Sequence, residues 1–428
     1  RGGGGSRGVR SAASCSGGFS VRHRPCASLV WLVAFASGAN AAEFNIVDYG
    51  AAPNDAADDT PAINKALAAR AAAGGGAVFV PAGTFCVARQ GAGAPILAVP
   101  SNTTLYGEGP ASTLKFDARV NQSNFWRMLG ATTGTTRHVV IRDLRLDGST
   151  TFTRYEKGVP EQNHGIFLAA PEGRIENVQI ERLLIENFAG DGVAVGHGCR
   201  NVTIRDVALR NFLRQGIQMA GGNGARDYLV TGCHDLEHTI EPGGSTIHVE
   251  HARGLVNVQI IANRCRRSIL AGGVDGLLVR DNVVTGRIEG NGDRNTVVVG
   301  NLVRGAVGNT RALMQFGFAD GLIVRDNVVV AGGPGQTGIY VWGTSKYDPA
   351  PSRNVLVADN LVDASSTGIM LNGVDGATVS RNRIRTASGQ RPTSVSRGRN
   401  VVVDDANVAA DAPTDKPADT PTEPAVQP

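Results

Sequence analysis

His164-Gly-Ile-Phe-Leu168, Asp191-Gly-Val-Ala-Val195 and Gln215-Gly-Ile-Gln-Met219 repeat one short phrase at intervals of 27 and 24 residues. A small or polar residue, often followed by glycine, leads into an aliphatic-x-aliphatic strand. Further copies are Ser245-Thr-Ile-His-Val, Arg267-Ser-Ile-Leu-Ala, Thr337-Gly-Ile-Tyr-Val and Thr367-Gly-Ile-Met-Leu, with weaker ones around Ile288 and Met314. The mean period is roughly 25 residues, within the range of stacked repeat architectures. A second phrase lies between the copies: Asn177-Val-Gln-Ile, Asn201-Val-Thr-Ile, Asn257-Val-Gln-Ile, Gly276-Leu-Leu-Val, Gly321-Leu-Ile-Val and Asn354-Val-Leu-Val. It alternates at period two, as a half-buried strand does. Just after that strand an asparagine recurs, at Asn263, Asn282, Asn301, Asn327, Asn360 and Asn382. Asparagine tolerates the left-handed conformation of a sharp bend, and stacked copies can hydrogen-bond as a ladder. Two or three short strands per period, with turns between them, describe one coil of a parallel β-helix. Leucine-rich repeats share the period but need a fixed leucine spacing and a helix. A sandwich needs hairpin signals, which are scarce here.

Composition agrees. Of 428 residues 56 are glycine, aromatics are 5% and charged residues 19%, which excludes a coiled coil and a wholly disordered chain. The net charge of +4 misleads, because residues 1–41 hold five arginines and no acid, leaving −1 for the rest. Recruitment of nucleic acid by bulk charge is therefore not expected. Residues 22–42 read as an export signal, with basic Arg22-His23-Arg24, an apolar run over 27–37 and a small-x-small Ala39-Asn40-Ala41. The apolar run is too short to cross a bilayer. A secreted or periplasmic protein follows as an expectation: a leader over 1–41, a β-helix domain over 42–405, and a disordered Pro/Ala/Thr-rich tail over 406–428. Asp58-Asp59-Thr60-Pro61 opens a helix running to about Ala73, stopped by Gly74-Gly75-Gly76, and such a helix is suited to cap the open end of a solenoid.

The stretch Phe44-Asn-Ile-Val-Asp-Tyr-Gly50, then Asp58-Asp59-Thr60, then Gly74-Gly-Gly-Ala-Val-Phe-Val-Pro-Ala-Gly-Thr-Phe85 resembles the opening of the pectate-lyase-like right-handed β-helix superfamily. That group includes polygalacturonases, rhamnogalacturonases, alginate C5-epimerases and phage tailspikes. The resemblance covers roughly residues 43–405 and implies an all-β, single-stranded right-handed parallel β-helix directed at an acidic polysaccharide. It does not fix the reaction. Polygalacturonases carry Asn-Thr-Asp, an Asp-Asp pair and Gly-His-Gly on successive coils. Here those places read Asn163-His164-Gly165, Gly190-Asp191-Gly192 and Gln215-Gly216, so only Asp191 survives. Gly196-His197-Gly198 matches the third motif in letters but follows its strand. The Asp-Pro-His of alginate epimerases is absent from 193–196.

Neighbouring strands lie ~4.8 Å apart, so equivalent residues of successive coils form lanes. Aligning Ile166, Val193, Ile217, Ile247 and Ile269 inward places His164, Asp191, Gln215, Ser245 and Arg267 in one lane, two residues earlier. One residue later, an outward column reads Phe167, Ala194, Gln218, His248 and Leu270, with Glu250 further along, then Glu289, Gln315, Tyr340 and Met370. His164 and Asp191, one coil apart, form an acid–base pair, under the loop that carries Tyr155 and Lys157. These four are the catalytic candidates. Gln215, Gln218, His248, Glu250 and Arg267 are the expected substrate contacts in a polar groove.

Proton abstraction beside a uronate carboxylate needs a base, a group that neutralises the carboxylate, and an acid, and these residue types suit it. The leading reading is a lyase or C5-epimerase acting on a uronate polysaccharide. A glycoside hydrolase is the alternative among enzymes, weakened because Asp191 has only Glu161 or Glu250 as a second carboxylate. A non-catalytic, adhesin-like or spike-like glycan binder is the alternative outside them. No cofactor is expected; Ca²⁺ stays open as a requirement, although no cluster of acids offers a dedicated cage for it, and a monomer is expected. Cys86, Cys199, Cys233 and Cys265 lack metal-ligand spacing.

Overall fold

A computed structural model describes residues 42–90, 95–117, 126–131, 134–241, 243–343, 350–404 and 407–409. Residues 1–41, with the export signal, and most of the tail lie outside the described residues. Every pairing between named strands is parallel, and each strand pairs with its equivalents one coil before and one coil after. Twelve strands stack as one sheet, which includes His164–Leu168, Val193–Val195, Ile217–Met219 and Ile247–Val249. The other two faces form a second sheet, because two long strands, Thr135–Asp147 and Arg174–Phe188, run through both of them. The result is a three-faced parallel β-helix whose aliphatic lanes fill one continuous core. The helix Thr60–Ala72 buries Ile63, Ala66 and Leu67 into that core. Asp58, rather than Asp59, accepts the Thr60 N–H at 3.0 Å, since the Asp59 carboxylate takes the N–H groups of Ala52 and Cys86.

The asparagine ladder is present, and it works through its amides. The ladder residues have ordinary φ, while the residue just before each bends to the left, as at Asp281 (56°) and Asp326 (55°). Asn301 is typical. Its Oδ1 accepts from the backbone and side chain of Asn282, and its Nδ2 donates to Val279 O, Val299 O and Asn327 Oδ1. Every polar atom of the amide is satisfied in a site 1% exposed. A left-handed conformation is also needed at the first residue of the second phrase, where φ is 59° at Asn177, 51° at Asn201 and 79° at Gly276. This is why asparagine and glycine interchange there. Asn407 adds a further rung and Val408–Ala409 pairs with Arg383–Thr386, so the domain runs to Ala409, past the expected boundary at 405. Cys199, Cys233 and Cys265 are buried thiols.

Candidate active site

The expected register holds. Ile166, Val193, Ile217, Ile247 and Ile269 pair in sequence, each 0% exposed, and Phe167, Ala194, Gln218, His248 and Leu270 pair alongside them. The lane two residues earlier corrects the expectation of an open groove, because it is buried. His164 is 1% exposed, Asp191 0%, Ser245 4% and Gln215 9%. Period-two alternation is the cause, since these residues share the inward direction of the aliphatic two places on. Glycine at 192 and 216 lets the coils approach closely, as a Cβ at Gly192 would stand 2.8 Å from Gly216 O, and one at Gly216 2.6 Å from Thr246 O.

His164 and Asp191 do meet. His164 Nδ1 accepts the Asp191 backbone N–H at 2.9 Å and stands 3.3 Å from Asp191 Oδ2. Asp191 Oδ1 accepts the Gln215 N–H at 3.0 Å, and Oδ2 accepts from Arg214 Nη1 at 2.7 Å. Burial, with Arg127 and Arg214 adding repulsion, lowers His164 to about 3. Burial raises Asp191 to about 7 against the pull of Arg214. Both shifts favour the uncharged forms, so burial sets an imidazole that resists protonation beside a carboxyl that keeps its proton longer than usual. The imidazole stacks on Phe167, and the Arg127 guanidinium lies 4.4 Å from the centre of the Phe167 ring.

Arg214 connects this buried pair to the surface. Nη1 also reaches Gln218 Oε1 at 3.3 Å, while Nη2 donates to Glu250 Oε2 at 2.6 Å. Gln218 Nε2 donates to the same Glu250 oxygen at 3.1 Å. The guanidinium is 18% exposed, against 0% for Asp191. The Gln215 amide is oriented by Ser245, whose N–H it accepts at 2.6 Å, so its Nε2 donates to His248 Nδ1 at 3.0 Å. A neutral His248 therefore carries its proton on Nε2. Burial lowers its pKa and Glu250 opposes that shift. Above them the Tyr155 hydroxyl donates to Glu161, which raises the phenol's pKa, with burial adding to the shift and Arg214 opposing it. Beyond Glu250 a shallow groove of about 370 Å³, lined by His248, His251, Leu270, Arg287 and Glu289, continues along the sheet. Among the described residues no three His, Cys, Asp or Glu side chains converge as metal ligands.

Seven expected residues are thus assembled around Arg214: His164, Asp191, Gln215, Gln218, His248, Glu250 and Tyr155. Two are not. Lys157 is exposed in the turn at the loop tip and takes no part in the network. Arg267 donates from Nε to Gly244 O and is drawn towards Asp235 and Glu241, because its lane position turns it under the Gly243-Gly244 loop. His197 lies exposed in the turn after its strand, as its position indicates. Arg214 and Arg127 were missed. Arg127 pairs in register with His164, so extending the lane one coil back finds it. Arg214 precedes the lane by one residue, and the period-two pattern carries no signal for a turn residue.

Parallel strands coiled on three faces around one core define the class as a parallel β-helix protein. The chain belongs to the rhamnogalacturonase A/epimerase, pectate lyase-like family, whose model matches residues 43–270. It is 34% identical over 167 residues to the mannuronan C5-epimerase AlgE1 of Azotobacter vinelandii, covering 39% of this chain and 12% of that protein. It is 27% identical over 213 residues to alginate lyase 7 of the same organism, covering 45% of this chain and 24% of that one. The chain thus spans a quarter or less of the length of these relatives. The A-module of the A. vinelandii mannuronan C-5 epimerase AlgE4 superposes with a TM-score of 0.66 at 17% identity, over 85% of this chain and 97% of the module, which establishes a shared fold. No helix among the described residues is long and apolar enough to cross a membrane.

Proposed function

We propose that this protein is an exported enzyme that removes the C5 proton of a uronate in an acidic polysaccharide, as a lyase or C5-epimerase, with mannuronan as the first substrate to test. The observation that carries this reading is Arg214, a cation held from below by buried Asp191 and on the outer side by Glu250, which itself lines the groove with His248. The uronate carboxylate would exchange with Glu250 on the guanidinium, which then stabilises the charge that develops as C5 loses its proton. The neutral His248 Nε2–H supplies a hydrogen bond to the same carboxylate without giving up its proton. Tyr155 is the proton carrier: its oxygen takes the C5 proton while its own proton passes to Glu161. His164, buried and fixed at Nδ1, positions Asp191 and is not itself the base. In a lyase the Tyr155 proton then goes to the departing glycosidic oxygen. In an epimerase a donor on the opposite face of C5 completes the exchange. Matches to mannuronan epimerases and an alginate lyase support the substrate class.

Incubation with polymannuronate and with pectate tests the reading. Ultraviolet absorbance from unsaturated uronate ends marks a lyase, and inversion at C5 read by nuclear magnetic resonance marks an epimerase. Tyr155→Phe should lower either by roughly a hundredfold with the fold intact. Reducing ends without unsaturation would move the chemistry to Asp191 and Glu250 as the acid and carboxylate of a hydrolase. Retention of the polymer without turnover would make the protein a glycan binder.

A further inference from the structure

The outward column does not end at the groove. In the strand Ile339–Trp342 the buried Ile339 and Val341 alternate with half-buried Tyr340 and Trp342, so both aromatic rings stand on the same sheet face as Gln218 and His248. Glu289 pairs with Gln315, Gln315 with Tyr340, and Gly317 with Trp342, which places the rings four coils beyond His248, roughly 19 Å by strand spacing. A Cβ at Gly317 would stand 2.4 Å from Trp342 Cζ2 and 2.5 Å from Cε2, so the half-buried indole packs against the bare backbone of the neighbouring strand. Phe318 braces the indole edge-on, with centroids 4.6 Å apart at 72°. Phe318 holds a left-handed φ of 51°, a conformation that bulky residues rarely adopt. On the next coil Asn372 pairs in register with Trp342 and donates to the Tyr340 hydroxyl at 3.4 Å, while exposed Arg397 donates to Asn372 Oδ1 at 3.0 Å.

We infer that Trp342 and Tyr340 form a second binding platform for the same polysaccharide chain, remote from the chemistry. The inference rests on the uronate-polysaccharide reading above. An aromatic face takes the C–H side of a pyranose ring by apolar burial. The Asn372 amide and the Arg397 guanidinium at its edge supply groups for hydroxyls and a uronate carboxylate. Continuity identifies the occupant: Arg214 is hydrogen-bonded to Glu250 at the near end of the groove, and from Glu289 at its far end the register runs through Gln315 to Tyr340 on the same sheet face. A polymer engaged at Arg214 and running along the sheet passes over the indole, which gives the site a grip on long chains.

Tryptophan emission tests this directly, because Trp126 is 1% exposed and Trp342 is the other tryptophan among the described residues. Long polymannuronate should shift or quench the emission of the wild type and of Arg214→Ala, and leave that of Trp342→Phe unchanged. Tyr340→Ala should raise KM for the long polymer about tenfold while kcat holds, the factor that ~1.4 kcal/mol of lost contact gives. Turnover of the polymer with no emission change at saturation overturns the platform and leaves the uronate chemistry standing. An emission change without turnover does the reverse. A fall in kcat rather than a rise in KM for Tyr340→Ala also overturns it, since a surface that holds substrate and transition state alike is read in KM alone.

Discussion

Replacing one member of the His164–Asp191 pair should give the protein a pH dependence of stability that the wild type lacks. In the unfolded chain, with ordinary values of 6.5 and 3.8, the two groups hold one proton between them from pH ~4 to ~6.5. In the fold, with His164 near 3 and Asp191 near 7, they also hold one proton across that window, wherever it sits between them. Equal proton counts mean no slope. In Asp191→Asn only His164 remains, with a lowered folded pKa, so the unfolded state binds a proton that the fold refuses. Stability is then full above pH ~6.5 and falls by ~1.4 kcal/mol per unit as pH drops, reaching a loss of ~4 kcal/mol or more by pH ~3. In His164→Gln only Asp191 remains, with a raised folded pKa, so the fold holds a proton that the unfolded state has released. Stability is full below pH ~4 and falls by about 4 kcal/mol as pH rises to ~7. Arg127, Arg214 and Glu250 face the pair and remain in all three proteins, and every other carboxylate cancels in the comparison. Urea unfolding followed by circular dichroism at half-unit steps from pH 4 to 7 measures the three curves. Opposite slopes about a flat wild type are expected. Three parallel curves would refute the shared-proton account.

Ile217→Asp should cost several kcal/mol or prevent folding, since it places a carboxylate in a site 0% exposed, whereas Gln218→Asp one residue on should stay within about 1 kcal/mol. Equal losses in thermal melts would break the in-out register. Asn301→Ala should destabilise by about 3 kcal/mol, because it strands the Asn282 amide and the Val279 and Val299 carbonyls in the buried turn. A change below 1 kcal/mol would mean that the ladder is incidental. Arg214→Ala should cut turnover on polyuronate by roughly a hundredfold or more, while Lys157→Ala and His197→Ala leave it within about twofold. The reverse ranking would remove Arg214 from the chemistry.

The period of the repeat made the register legible, since a lane is defined by which residue points inward and nothing more. Ile166, Val193, Ile217, Ile247 and Ile269 align by counting alone, and with them His248 and Gln218. Burial two residues earlier was not legible. Position −2 shares the direction of the inward aliphatic, and it is covered at His164 and Asp191, where glycine follows, as it is at Ser245, where Thr246 follows. Arg214 belongs to a turn whose length differs from coil to coil, so no spacing rule reaches it, although its charge decides how the buried pair meets the groove. Recurrence points to the ladder asparagines as the left-handed positions, whereas the backbone places that conformation one residue earlier, as at Asp281, and at Asn177 and its equivalents. Recurrence reports that a position is constrained. It does not say whether dihedral angle or hydrogen bonding is the constraint.

The ladder also has a bearing on how such a chain changes length. Asn263, Asn282 and Asn301 are spaced by nineteen residues each, and each rung asks of its neighbour only an amide at the same height. Excising residues 283–301 would join two equivalent turns and remove one whole coil, with each surviving rung finding the same partner atoms. Farther along, the separations widen to 26 and then 33 residues without breaking the rungs. Duplication or loss of single coils in this half would lengthen or shorten the track between Arg214 and Trp342 in steps of one strand spacing and leave the reacting end untouched. Inheritance could thus adjust reach separately from reaction, one coil at a time.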